Sequence, residues 1–159
     1  GTPIIVQLFL FYFGIFSTAF RDFEYKALFI AILVFGINSS AYVAEIIRSG
    51  ILSIDKGQME AGRSLGLTYG TTMTKIILPQ AIKNILPALG NEFIVMIKET
   101  SVAGFITVFD LTRATRAIVA DYYDAFVPYF VLALVYLVLV MIFTYFLNML
   151  ERRLRKSDH

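Results

Sequence analysis

The stretch from Phe126 to Leu150, FVPYFVLALVYLVLVMIFTYFLNML, runs for 25 residues without a charge. At about 1.5 Å per residue such a run crosses a hydrocarbon core about 30 Å thick with some tilt. The rest of the chain agrees with it. The 159 residues are 58% hydrophobic and only 16% charged, with a mean hydropathy of +0.73. A soluble domain is about 45–50% apolar and about 25% charged. The expected fold class is therefore all-α, a polytopic transmembrane helix bundle.

Three further segments are candidates to span: residues 4–20, 27–47 and about 76–97, the last interrupted by Pro79 and Pro87. The run 101–111, SVAGFITVFDL, is too short to cross and reads as a partly inserted piece. Orientation follows from the lysines and arginines, which favour the cytoplasmic side. Arg152, Arg153, Arg155 and Lys156 follow the last span, and Arg48, Lys56, Arg63 and Lys75 lie between spans two and three. Only Arg21 and Lys26 lie between spans one and two, and Arg113 and Arg116 before the last span are offset by Asp121 and Asp124. Four crossings put the tail and the loop at about 49–75 on one side, so both are expected in the cytoplasm. No repeat or flexible linker divides the chain, which is expected to form a single domain.

Several functions are excluded. A net charge of +2 gives no basis for nucleic-acid binding. No cysteine is present, and the one histidine, His159, is the last residue, so no thiol or histidine metal cluster is available. There is no G-x-x-x-x-G-K-[ST] phosphate loop, no H-E-x-x-H and no G-x-S-x-G elbow, so the chain has no ATPase site or recognisable catalytic set of its own.

The segment IDKGQMEAGRSLGL, residues 54–67, is polar in a greasy chain. Asp55 is a plausible N-cap, and Met59, Gly62 and Leu65 recur at helical spacing on one face. Gly66 suits a helix C-terminus that needs positive φ, and Thr68 can cap a second helix running toward Ile76. A short amphipathic helix pair outside the bilayer is expected, with Pro79 near the start of the next span.

Glu60-Ala61-Gly62, three residues, Gly66, nine residues, then Ile76-x-Leu78-Pro79 resembles the EAA signature of permease subunits of bacterial ABC importers. Gly62 stands where the consensus has a second alanine. The stretches GTPIIVQLFLFYFG, INSSAYVAEIIRSGI and ILPQAIKNILPALGNEFIVMIKETS look like the polar amino-acid uptake branch, so the resemblance covers essentially the whole chain. It implies a type I permease fold with one more spanning helix ahead of Gly1-Thr2-Pro3, and a multi-pass location in the bacterial plasma membrane with the C-terminus cytoplasmic. It also implies that Glu60, Ala61, Gly62, Gly66, Ile76, Leu78 and Pro79 belong to a loop coupled to a partner ATPase dimer, which binds the ATP and Mg that this chain does not. A second permease chain, the same or similar, and an extracytoplasmic solute-binding protein are the other implied partners, with a polar amino acid as substrate.

Polar residues at membrane depth tend to mark pathways. Asn38, Ser39 and Ser40 in span two serve either as interhelical glue or as path lining. Glu45 either reaches the interface or pairs with Arg48. Asn91 and Glu92 lie deep in span three, and Lys98, Glu99, Thr100 and Ser101 break the apolar sequence just after it. A polar break between apolar half-segments suits a solute site, and Lys98 with Glu99 offers both charges of a zwitterion; a mutual ion pair at the outer interface is the competing reading. An ion-coupled secondary transporter is the alternative function, and it would be expected to carry the internal repeat that is missing here.

Overall fold

A computed structural model describes residues 2–18, 20 and 23–155. Arg21, Lys156 and His159, named above, lie outside the described residues. The described elements are helical, with no strand among them. Helix α1, Ile4–Phe9, continues as a π-helical turn, Leu10–Ile15. Then come α2, Lys26–Leu52; α3, Lys56–Ser64; α4, Tyr69–Thr72; a π-helical segment, Met73–Ile77; and α5, Leu78–Glu99. A 3₁₀ helix, Thr100–Ile106, leads to α6, Leu111–Tyr122, and α7, Phe126–Arg155.

The helix bounds differ from the sequence expectation in physically readable ways. The first apolar segment is helical only to Ile15, and the chain turns before residue 20. Helix α2 runs on to Leu52, so the polar loop is shorter than 49–75. Pro79 is the second residue of α5, near its start as expected, although α4, the π segment and α5 follow one another without a break from Tyr69 to Glu99. Proline lacks an N–H, and its ring crowds the carbonyl four residues earlier. The wider π turn just before it accommodates this, with the Leu78 N–H donating to the Met73 carbonyl five residues back. The 101–111 run is a 3₁₀ helix as far as Ile106, then a left-handed turn residue, Thr107, and irregular chain up to Asp110, the N-cap of the next helix. The segment carrying Arg113 and Arg116 is not a loop but the 12-residue helix α6.

Helices α2 and α7 are the described helices long and apolar enough to cross a membrane. The 22-residue α5 has the length, but Gln80, Lys83, Asn84, Asn91 and Glu92 break its apolarity.

The chain forms two compact units. One comprises residues 1–40 and 94–143, the other residues 41–93 and 144–159. The core of the first unit packs Leu8 with Ile30, Ala31, Val34 and Phe35 of α2 and Ala103 and Ile106 of the 3₁₀ helix. The α2 members recur at one-turn spacing and so lie on one face. Apolar tails surround a membrane helix as comfortably as leucine does, so tight van der Waals packing, not exclusion of water, holds such a cluster.

In the second unit Ile77, at the end of the π segment, forms one buried face with Ala81 and Ile85 of α5. Gly50 of α2 packs against Ile85, and the Asn84 amide donates to Ser53 Oγ at 2.9 Å. Gly90 sits close against Leu147 of α7, whereas Gly36 has nothing within 4 Å of its Cβ direction and Gly14 meets only Leu10, one turn back.

Candidate coupling loop and translocation path

The polar loop folds by local chemistry. Asp55 adopts a non-helical backbone, and its carboxylate accepts from the Gly57 N–H at 2.6 Å, capping α3. At the other end, Leu67 N–H donates to the Gly62 carbonyl at 3.1 Å and Gly66 N–H to the Arg63 carbonyl at 3.0 Å. This is the Schellman pattern, which requires a left-handed residue just past the helix, and Gly66 supplies it with φ +82. Arg63 reaches over the turn to the Leu67 carbonyl at 3.1 Å. Thr68 then caps α4, accepting from the Thr71 N–H at 3.2 Å. Every expected cap of the two helices is therefore made.

The faces are not those expected. Gly62 is buried and Met59 half-buried, but Leu65 is 82% exposed and does not share their face. Leu65 is the C-cap, where the backbone leaves the helical path, so helical spacing no longer fixes its direction. Gly62 faces Thr72, a residue whose role the sequence alone did not suggest; a Cβ there would lie 2.5 Å from Thr72 Cγ2. Glu60 and Ala61 point outward and are exposed, as are Leu65 and Tyr69. Ile76 and Leu78 are half-buried, and Pro79 is exposed on the helix beyond. The signature residues thus divide. Gly62 and Gly66 shape the hairpin, while Glu60 and Ala61 are offered to the outside.

The expected path residues are spread over both units. Asn38, Ser39, Lys98, Glu99, Thr100 and Ser101 belong to the first, Asn91 and Glu92 to the second. Seven residues is nearly two helical turns, so Asn91 and Lys98 share one face of α5 and Glu92 and Glu99 the adjacent one. Lys98 and Glu99 form no ion pair with each other; neighbours in sequence point about 100° apart on a helix. Ser39 is buried and Asn38 half-buried, while the Ser40 hydroxyl donates to its own helix at the Ile37 carbonyl. Glu45 and Arg48 do pair, through two hydrogen bonds of 2.6 and 2.9 Å. A largely apolar cleft of about 650 Å³ in the first unit is lined by Phe35, Gly36, Met96, Ile97, Thr100 and Tyr136 among others; of the expected path residues Thr100 lines it.

Asp110 is a structural residue that the sequence reading did not single out. Its carboxylate accepts from the Gly104 N–H at 2.7 Å and from the Arg113 N–H at 2.6 Å, tying the 3₁₀ helix to the start of α6. An aspartate just ahead of a helical stretch is a legible N-cap signal.

Residues 1–156 match the model of the family described as "Binding-protein-dependent transport system inner membrane component". The chain belongs to this family. The permease is 40% identical over 158 residues to the arginine transport system permease protein ArtQ of Bacillus subtilis (strain 168), covering 99% of this chain and 71% of that protein. It is 41% identical over 155 residues to the glutamine transport system permease protein GlnP of Escherichia coli (strain K12), covering 98% of this chain and 70% of that one. Among solved structures, "Crystal structure of an amino acid ABC transporter with histidines" matches with a TM-score of 0.88 and 48% identity, over 96% of this chain and 70% of that chain. The permease is a membrane transport subunit with an all-helical fold, and this family membership decides against the ion-coupled alternative.

Proposed function

We propose that the chain is the permease subunit of an ATP-driven importer of polar amino acids. Its relatives carry arginine and glutamine in their names, and the similar solved structure is of an amino-acid ABC transporter with histidines. In this reading α1 with its π turn, α2, α5 and α7 cross the bacterial inner membrane, and the tail and the α3–α4 hairpin face the cytoplasm. The permease pairs with a second chain, the same or similar. A partner ATPase dimer binds ATP and Mg, and an extracytoplasmic binding protein supplies the solute.

The observation that carries the proposal is the continuity of the hairpin with α5. The hairpin's ends are fixed by two caps and a Schellman turn, so it can act as a rigid unit. Beyond it the helical run from Tyr69 to Glu99 is unbroken. A push on Glu60 and Ala61 from a closing ATPase therefore reaches Asn91 and Glu92 along the same helical run. Alternating access results if the two ATPase states bind the loop with different affinity; equal affinity would shift nothing. Asn38, Ser39, Thr100 and Ser101 complete the polar lining in this reading, offering hydroxyl and amide groups to a zwitterion.

The test is co-purification of the full-length permease in detergent, with Glu60→Arg as the comparison. Retention of an ATPase by the native chain and its loss from the variant is the expected result. Equal retention by both, or none by either, overturns the coupling assignment.

A further inference from the structure

We propose that Arg113 and Arg116 form a docking patch for acidic side chains of the solute-binding protein. The proposal rests on the importer reading and on its orientation, which places α6 on the side opposite the tail.

The two arginines are three residues apart and share one face of α6. Like charges at that spacing repel and destabilise a helix unless something anionic answers them. Among the described residues neither arginine has an ion pair. Both are held in place nonetheless. Arg113 donates one N–H to the Thr107 carbonyl, and the Arg116 guanidinium lies 4.9 Å from the centroid of the Phe105 ring. These contacts fix where the charges point and leave most guanidinium donors unused. Both side chains line an open hollow of about 420 Å³ floored by Gly104 and Phe105.

The lining excludes a free amino acid as the natural occupant. Among the described residues no carboxylate lines the hollow, Asp110 being engaged with the Gly104 and Arg113 N–H groups, so a zwitterion's ammonium would face two guanidiniums without a partner. A protein surface bearing two carboxylates meets no such conflict, and each carboxylate can accept two parallel N–H bonds from a guanidinium. The surroundings fit protein contact as well. Phe109 is 80% exposed just before α6, and Tyr122 and Tyr123 are 77% and 94% exposed at its end. Arginine and large aromatics are the residue types enriched where proteins dock.

The test uses the full-length permease assembled with its ATPase in nanodiscs, and the solute-binding protein of the same transport system as the probe. Association rates are measured by surface plasmon resonance for the native complex and for Arg113→Glu/Arg116→Glu and Arg113→Lys/Arg116→Lys. Steered encounter predicts a native rate that falls as salt rises from about 0.05 to about 0.3 M. It predicts a loss of about tenfold or more in the reversed variant and a change of about threefold or less in the lysine variant. ATPase retention by the variants on pull-down shows that they are folded. An unchanged association rate in the reversed variant overturns the patch alone. So does a normal rate combined with a raised KM for uptake, which would assign the arginines to the solute, or a normal rate with binding to phosphatidylglycerol nanodiscs lost, which would assign them to lipid. Failure of the native complex to bind the probe at all overturns the importer reading and the patch with it.

Discussion

Gly62 lies against Thr72 so closely that a Cβ on Gly62 would stand 2.5 Å from Thr72 Cγ2 and 2.8 Å from Thr72 Oγ1. Threonine is stiff at χ1, and its hydroxyl is already committed to the Thr68 carbonyl at 3.0 Å. The neighbour therefore cannot simply swing away. Gly62→Ala should loosen the α3–α4 hairpin by about 1–3 kcal/mol. Thr72→Ala in the same chain should recover much of that loss, because it removes both crowding atoms. A double-mutant cycle read by hydrogen exchange of the α3 amides measures the coupling; additive losses would mean that the two residues do not compete for space.

Gly66 is a different case. A Cβ there meets nothing within 4 Å, so the constraint comes from its φ of +82. Gly66→Asn should keep the Schellman turn and most of the uptake, since asparagine tolerates the left-handed region. Gly66→Val should lose about 1–2 kcal/mol or more of hairpin stability and abolish uptake while still inserting in the membrane. Equal uptake by the two variants would argue against a backbone origin.

Asp110 uses one carboxylate oxygen for the Gly104 N–H and the other for the Arg113 N–H. Asp110→Asn retains a single acceptor and should lose part of the stability, Asp110→Ala more. The full loss is about 1–3 kcal/mol, because Gly104 is buried and its N–H would go unmatched. Thermal unfolding of the two variants in detergent gives the ranking.

Glu92 and Glu99 occupy one face of α5 two turns apart. If that face lines the path, Glu92→Gln and Glu99→Gln should each lower kcat/KM for uptake roughly ten- to a hundredfold, the size of a lost charged hydrogen bond. Retention of the ATPase should be unaffected. Unchanged uptake in proteoliposomes would remove these residues from the path.

The caps of the α3–α4 hairpin were legible because capping is local. Asp55, Gly66 and Thr68 act on neighbours a few residues away, and residue type alone carries that information. The place of Leu65 was not legible, since the helical period stops applying where the helix stops. Helix α6 is not legible in the sequence for another reason. Its charges look like those of a solvated loop, and the 12 residues from Leu111 to Tyr122 are too short to register as a span.

The sequence by itself determined the membrane class, the approximate positions of the long helical segments and the family, because a 25-residue uncharged run and a spaced signature depend only on residue order. Tertiary structure decided which small residue touches what. Gly62, Gly50 and Gly90 each meet a side chain distant in sequence, Thr72, Ile85 and Leu147, while Gly36 meets none. Such contacts depend on how helices pack, and a glycine reads the same in the sequence whether or not a neighbour fills the space beside it.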